Sequence, residues 1–232
     1  MCGRYVLFSP ASELSTSFKV DARFNVPPRY NIAPSQAVLA VVRPEHGGGR
    51  QLAALHWGLV PEWMKEFPAG QPMFNARVET LLQKPSFRNA TRYRRCLVPA
   101  NGFYEWVNVG GQKQPHYIFP NNAGLTAFAG LWEEWTGPGG DSAFLSLTVV
   151  TKPATGLLKS LHDRMPVTLQ SEDHALWLGE AGESAVRVLQ GITPMHGDDF
   201  SSYPVSRHVG DVRVDEESLI KAIEPPHQKN LL

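Results

Sequence analysis

The stretch Arg95–Trp106, RCLVPANGFYEW, holds two short runs of strand character separated by an Asn-Gly pair. The run Cys96–Pro99 is apolar, and Phe103–Trp106 sets Glu105 among aromatic residues. Short runs rich in Val, Leu, Phe and Tyr that Gly, Pro or Asn residues bound are typical of β-strands. The stretch therefore predicts a core built from strands.

Other apolar runs of strand length occur on both sides of it: Ala37–Val42, Leu52–Leu59, His116–Phe119, Leu125–Leu131 and Phe144–Val150. Predicted helices are fewer: Ser12–Val20, Pro153–Leu161, Glu172–Leu178 and Asp215–Ile223. Because strands and helices do not alternate regularly, a doubly wound parallel sheet is disfavoured. We expect an α+β fold with a mostly antiparallel, barrel-like β core and flanking helices. We predict one domain over residues 1–224 and a disordered tail over 225–232.

The composition is that of a folded globular chain and excludes several functional classes. Of 232 residues, 42% are hydrophobic, and 22 basic residues balance 22 acidic ones, so any basic surface for nucleic acid must be local. Two cysteines are too few for a disulfide framework or a cysteine-rich zinc site. No apolar run has the length of a membrane span, and the N-terminus lacks a signal-peptide pattern. We expect a cytoplasmic protein, nucleoid-associated if bacterial.

The chain begins Met1-Cys2-Gly3-Arg4. The small side chain of Cys2 favours removal of Met1, which would leave a free α-amine and a thiol on adjacent carbons. Such a 1,2-aminothiol condenses with an aldehyde to an imine, and the thiol then closes a thiazolidine ring. Since many chains have a small second residue, this opening alone indicates little.

Five further segments are dense in polar and conformationally special residues: Arg29–Pro34, Trp57–Trp63, Phe74–Thr80, Arg95–Trp106 and Leu161–Pro166. Together with Cys2-Gly3-Arg4, and in this order, they resemble the SOS response-associated peptidase (SRAP) family from Cys2 to about Val209. The resemblance implies a compact α+β domain that binds abasic sites in single-stranded DNA. It also implies covalent attachment through the N-terminal cysteine as a thiazolidine that shields the lesion, and autocatalytic removal of Met1.

Four residues are the predicted catalytic groups: Cys2, Asn75, Glu105 and His162. The α-amine of Cys2 has an ordinary pKa of about 7.7–8, so about a tenth to a fifth is free base at pH 7. Glu105, in apolar company, is expected to have a raised pKa and to exchange protons near neutrality. The resemblance assigns it to proton transfer in ring closure and to cleavage after Met1, with the Cys2 thiol as the other candidate for that cleavage. It assigns His162 to opening of the sugar, and Asn75 to orienting the amine or the sugar.

Six residues are the predicted DNA contacts: Arg4, Pro34, Trp63, Arg77, Thr151 and Arg164. Arginine binds phosphate oxygens through a planar fork, which favours the three arginines inside the motifs. Trp63 and Pro34 are candidates to stack on bases or wedge the strand, and Thr151 is a weaker candidate near the lesion. A further basic stretch either extends the positively charged groove that the resemblance implies or is a solvated surface. It consists of Arg88, Arg92, Arg94 and Arg95.

The remaining residues of note are assigned structural roles. Cys96, Trp57 and Trp106 are expected in the core, and the remaining histidines are expected to be structural. No His, Cys and carboxylate cluster has metal-ligand spacing, and no glycine-rich phosphate loop occurs. We therefore expect no metal and no cofactor, with a monomer as the default.

Two other functional classes stay open at this point. An N-terminal-nucleophile amidohydrolase would also use a terminal cysteine, with its own amine as base. A non-covalent reader of damaged or modified DNA would use the aromatic and arginine residues while Cys2 merely packs.

Overall fold

Two β-sheets make up most of the computed structural model, which describes residues 2–22, 25–44, 48–68, 72–137, 139–140 and 143–223. The strands are β1 Tyr5–Leu7, β2 Arg29–Ile32, β3 Ala37–Val42, β4 Gln51–Trp57, β5 Asn75–Arg77, β6 Arg95–Ala100, β7 Gly102–Val109, β8 Gln112–Pro120, β9 Thr126–Trp135, β10 Phe144–Pro153, β11 Arg164–Pro166, β12 Thr168–Leu169 and β13 Phe200–Pro204. The α-helices are α1 Ala11–Phe18, α2 Pro85–Tyr93, α3 His174–Leu178 and α4 Ala185–Gly191.

A closed barrel of five strands forms the centre. Its order is β10-β4-β3-β6-β9, and β10 closes the ring by pairing with β9 as well as with β4. All six residues of β6 are buried, as expected for a strand between two neighbours in a barrel wall. The pairings are antiparallel except those of β10 with β4 and β5. The predicted α+β fold with a mostly antiparallel barrel core is thus confirmed.

The second sheet has the order β13-β8-β7-β1-β2 and is antiparallel throughout. Phe103 of β7 packs its ring against Phe128 of the barrel strand β9, with ring centroids 5.9 Å apart. The aromatic residues Tyr104 and Tyr117 belong to a separate cluster that covers Val205 and Val209 near the C-terminal end. The sheet is therefore covered on both faces.

The predicted strands are confirmed, whereas the helices are predicted less well. The helix predicted over Pro153–Leu161 is wrong. Pro153 ends β10, and Gly156, at φ 47°, begins a single 3-10 turn. Asp215–Ile223 holds only a 3-10 turn, Glu217–Ile220. The sequence analysis missed α2 and α4, although Pro85 stands at the first turn of α2. The predicted tail, 225–232, lies outside the described residues.

The pairing of β10 brings distant segments together. Beyond the point where β4 pairs with Ser146 and Leu147, β5 takes its place along Val149–Thr151. On the other edge, β11 pairs with Thr151–Pro153. This end of β10 therefore joins two of the polar segments identified in the sequence.

Candidate active site

Cys2 lies three residues before the start of β1 at Tyr5 and is fully buried. In the register of β1 against β7, Tyr5 faces Phe103, and the Arg4 carbonyl accepts the Tyr104 N–H at 3.0 Å. Continuing this antiparallel register brings the next residue of β7, Glu105, beside the residues that precede β1. The strand pairing thus accounts for the proximity of a thiol and a carboxyl that lie about a hundred residues apart in the sequence.

Glu105 is 3% exposed, and burial raises the pKa of its carboxyl, partly offset by the nearby His162. Burial, reinforced by the charge of Glu105, raises the pKa of the Cys2 thiol. Since water cannot stabilise either charge there, the thiol stays protonated at neutral pH and the carboxyl takes up a proton more readily than usual. The raised pKa expected for Glu105 is confirmed in direction.

Asn75, the first residue of β5, binds the other side of Cys2. Its Nδ2 donates to the Cys2 carbonyl at 2.8 Å. Its Oδ1 is buried and has no hydrogen-bond partner among the described residues. A buried acceptor without a donor costs about 1–3 kcal/mol, so the site holds an acceptor ready for an N–H or O–H of a bound group.

His162 follows the 3-10 turn Gly156–Ser160 and is half-buried. Its Nδ1 accepts the Arg164 N–H at 2.9 Å, which assigns the proton of the neutral ring to Nε2. The same Nδ1 lies 2.7 Å from Asp163 Oδ1. His162 also lies within the electrostatic range of Glu105, which places it in the same cluster.

Both terminal nitrogens of the Arg164 guanidinium donate to protein groups, whereas its buried Nε has no hydrogen-bond partner among the described residues. Its Nη1 and Nη2 donate to the two carboxylate oxygens of Glu79 at 2.5 and 3.0 Å. Nη2 also donates to the carbonyl of Thr151 at 2.7 Å. Thr151 itself is fully buried, and its hydroxyl donates to the Ala76 carbonyl at 3.3 Å. Thr151 therefore supports Arg164, and its predicted contact with DNA has no exposed surface in this structure.

The other predicted DNA contacts differ in accessibility. Arg77 is exposed at the end of β5, Trp63 is 61% exposed, and Pro34 is half-exposed. Arg4 instead donates to Asn31 Oδ1 at 3.2 Å and, at 3.4 Å, to the carbonyl of Val209. Arg4 thus ties the start of the chain to β2 and to the C-terminal segment.

The structure therefore brings Cys2, Asn75, Glu105 and His162 into one cluster, with Arg164 at its edge. Glu79 is the residue that sequence reasoning missed: it lies inside the segment Phe74–Thr80 but had no assigned role. A signal was present, since it is the only acidic residue in that segment. The Arg164 guanidinium, by donating to it, lowers the pKa of the Glu79 carboxyl.

The predicted core positions are confirmed for two of the three residues. Cys96 and Trp57 are fully buried, whereas Trp106 is half-buried against the aromatic cluster of the second sheet. Among the described residues no group of three or more His, Cys, Asp or Glu side chains could hold a metal ion. In the same part of the chain, no helix combines the length and apolar character that crossing a membrane requires. Met1, whose removal the sequence analysis expects, lies outside the described residues.

Comparison with known sequences identifies one family. The model of the family described as SOS response associated peptidase (SRAP) matches residues 1–212. The abasic site processing protein YoqW of Bacillus subtilis is 37% identical over 226 residues, which span 96% of this chain and all of YoqW. The abasic site processing protein HMCES of Gallus gallus is 33% identical over 199 residues, 75% of this chain and 58% of HMCES.

Solved structures share the fold. A protein from Bacteroides thetaiotaomicron matches with a TM-score of 0.82 over 96% of this chain and all of its own, at 18% identity. A phage-related protein from Bordetella bronchiseptica matches with a TM-score of 0.70 at 31% identity, over 89% of this chain and 95% of its own.

Proposed function

Because the chain belongs to the SOS response associated peptidase (SRAP) family, we propose that it processes abasic sites in single-stranded DNA and bonds covalently to them through Cys2. The observation that carries this proposal is the buried cluster around Cys2. A thiol, a carboxyl with a raised pKa and an amide with an open acceptor converge on the residue that would become the N-terminus. Relatives over nearly the whole length of the chain are named abasic site processing proteins, which supports the substrate.

The first step is hydrolysis of the Met1–Cys2 peptide bond, which consumes one water and releases methionine. Glu105 is the better base for this step, because a raised pKa makes its carboxylate a stronger proton acceptor than an ordinary one. The Cys2 thiol, whose pKa burial raises, is a poor nucleophile until it loses its proton. The product is a Cys2 with a free α-amine beside Glu105.

The second step exposes the aldehyde of the abasic sugar. His162 transfers protons between the C1′ hydroxyl and the ring oxygen, breaking the C1′–O4′ bond of the cyclic hemiacetal. The Cys2 amine then attacks C1′, and loss of one water gives the imine. Asn75, which holds the Cys2 carbonyl, offers Oδ1 as an acceptor for the amine N–H or a sugar hydroxyl.

The third step closes the ring. The Cys2 sulfur adds to the imine carbon, and its proton passes through Glu105 to the nitrogen, giving a thiazolidine. Addition to the imine involves no oxidant, and the adduct has lost one water relative to protein plus sugar. A protonated thiol beside a carboxyl that exchanges protons suits this order, in which the amine attacks first.

The remaining site residues would bind the strand. Arg77 offers an exposed guanidinium to a phosphate, and Trp63 offers an exposed ring for stacking. Pro34 would wedge the strand next to the lesion. Arg4 and Thr151 already bond to other protein groups, and Arg164 would reach a phosphate only by leaving Glu79. We propose that the protein acts as a monomer.

Intact-mass measurement before and after mixing with an abasic single-stranded oligonucleotide tests the proposal. We expect loss of one methionine from the protein, then a gain of one oligonucleotide less one water that survives denaturation. An oligonucleotide whose abasic site has been reduced to an alcohol serves as the control, because it has no aldehyde to trap. A protein processed to Cys2 that gains no DNA mass would refute covalent attachment and favour the hydrolase or the non-covalent reader. If Met1 is retained, the same comparison is made after an aminopeptidase has removed it.

A further inference from the structure

The segment between Glu79 and Glu105 carries more basic residues than any other stretch of the chain that lacks acidic residues. It contains no Asp or Glu, although the whole chain balances 22 basic with 22 acidic residues. Its basic residues are Lys84, Arg88, Arg92, Arg94 and Arg95. Helix α2 carries Arg88 and Arg92, and Lys84 and Arg94 flank its two ends.

Two of these arginines serve the fold. Arg94 bridges Glu62 at 2.9 Å and the buried Glu133 at 2.6 Å. Arg95 is buried and donates to the carbonyl of Thr91 at 2.6 Å. Neither guanidinium is available to a partner, because each already satisfies buried acceptors.

Lys84, Arg88 and Arg92 are exposed and follow at intervals of four residues. Helical geometry puts such residues along one side of α2, opposite the buried Ala90. Among the described residues no carboxylate forms an ion pair with any of the three. Like charges at this spacing repel one another, so an anion bound along the row would relieve a cost that the fold leaves in place.

Exposed aromatic rings lie beside this row. Tyr93, at the end of α2, is 63% exposed. Trp63 follows Glu62 in the sequence. The Glu62 carboxylate accepts hydrogen bonds from Arg94 at 2.9 Å and from Asn89 of α2 at 3.5 Å. Cations interleaved with exposed aromatic rings are typical of surfaces that bind single-stranded nucleic acid without sequence preference.

The last turn of α2 also borders an open cavity of about 710 Å³. Arg92 and Tyr93 line it together with Arg43, whose guanidinium donates to the Gly179 carbonyl at 2.8 Å. The row of cations therefore ends in a recess large enough for a nucleotide rather than on a flat surface.

We propose that Lys84, Arg88, Arg92 and Tyr93, the α2 surface, bind the sugar–phosphate backbone and a base of single-stranded DNA that flanks the reacting nucleotide. The inference rests on the proposed function, because it makes the α2 surface a second contact for the strand held at Cys2. An acidic protein segment would fit the three cations but would leave Tyr93 and the recess without a role. The strand satisfies the cations, the ring and the recess together.

The test is the binding of oligothymidine without any abasic site, measured against salt for wild type and for R88E/R92E. We expect the double charge reversal to weaken binding of a 20-nucleotide strand by about ten-fold or more at low salt. The slope of log affinity against log salt should fall by about 1.4, since each lost phosphate contact on a single strand contributes about 0.7. Y93A should weaken binding by about five-fold without changing that slope, because stacking releases no counterions.

A matched variant, K113E/R207E, reverses two exposed cations outside α2 and should retain wild-type binding apart from the shared change in net charge. Equal losses of oligothymidine affinity in the two double variants would overturn the inference. So would polyglutamate that competes with oligothymidine equally well for wild type and for Y93A. The two proposals fail separately. If wild type forms the adduct but binds oligothymidine no better than R88E/R92E, only the proposal for the α2 surface is refuted. Wild type that binds oligothymidine through α2 but forms no adduct refutes only the chemistry at Cys2.

Discussion

The two cysteines share the same burial yet lie in opposite chemical surroundings. Both side chains are fully buried, and burial raises the pKa of both thiols. Cys96 lies in the barrel wall, where a Cβ on the neighbouring Gly130 would come within 2.8 Å of its sulfur. Cys2 lies between the amide of Asn75 and the carboxyl of Glu105.

This difference shows that neither exposure nor thiol pKa distinguishes a reactive cysteine here. A low-pKa thiolate is the usual sign of a reactive cysteine, and neither thiol shows it. In the proposed mechanism, Cys2 differs from Cys96 in the α-amine that removal of Met1 would leave on it and in the polar groups within reach. We therefore compare variants of each site residue with variants of a residue of the same type that lies elsewhere in the fold. The comparison tests whether the surroundings of a residue, rather than its type, determine its reactivity.

Exchanging sulfur for oxygen at each cysteine should give the largest contrast. C2S should lose the stable adduct with abasic DNA entirely, while still binding single-stranded DNA, because only the ring-closing atom is removed. C96S should form the adduct at the wild-type rate and lose about 1–3 kcal/mol of unfolding free energy, since a hydroxyl replaces a packed thiol. Denaturing gels and urea unfolding measure the two effects. A C2S protein that still gives a denaturation-resistant adduct would contradict the role of the thiol.

Two buried glutamates give the next contrast. E105Q should slow adduct formation by about 10²–10⁴-fold, the usual contribution of a positioned acid or base. Because burial raises the pKa of Glu105, the folded state favours its protonated form, and stability is lost as pH rises through that pKa. E105Q should therefore melt higher than wild type at pH 7–8, with the gain vanishing towards pH 4.

E133Q is the matched control, because Glu133 is equally buried but pairs with Arg94. It should react normally and lose about 1.5–3 kcal/mol of stability, the contribution of a charged hydrogen bond. Adduct kinetics and melting curves across pH separate the two variants. The comparison fails if both variants lose stability at neutral pH and both react slowly.

How far the sequence predicts these surroundings depends on the range of the contacts involved. The strands were predictable because their apolar runs lie within the local sequence, as in β3 and β6. The clustering of Cys2 with Glu105 depends on the register of β1 against β7, which no local pattern contains. The partners of Arg164 and Arg94 likewise come from distant strands, so the sequence identified the cations but not which of them are already engaged. The helix predicted over Pro153–Leu161 failed because a strand extends into its first residue.

A third contrast uses two asparagines. Asn75 donates to the Cys2 carbonyl and keeps a buried acceptor open, whereas Asn101 accepts the N–H groups of Phe8 and Ser9 and donates to the Ser9 hydroxyl. N75A should slow adduct formation by about ten-fold, the equivalent of one hydrogen bond in the transition state, with little change in stability. N101A should lose about 2–3 kcal/mol of stability and react normally once folded. Single-turnover rates under saturating DNA provide the measurement, and equal rates for N75A and wild type would remove Asn75 from the mechanism.

The smallest effect should come from the arginines that differ in their existing partners. Arg77 is exposed, so R77A should weaken binding to single-stranded DNA by about five-fold and lower the salt slope by about 0.7, with unchanged stability. Arg164 already donates to Glu79 and Thr151, so R164A should instead lose about 1.5–3 kcal/mol of stability with a smaller change in slope. Lowering the pH protonates Glu79 once its depressed pKa is passed, which frees Arg164, and from there the salt slopes of wild type and R77A should both rise by about 0.7. If R164A lowers the salt slope more than R77A does at neutral pH, a phosphate must replace Glu79 as the partner of Arg164. Arg164 would then belong with the groups that bind the strand rather than with those that stabilise the fold.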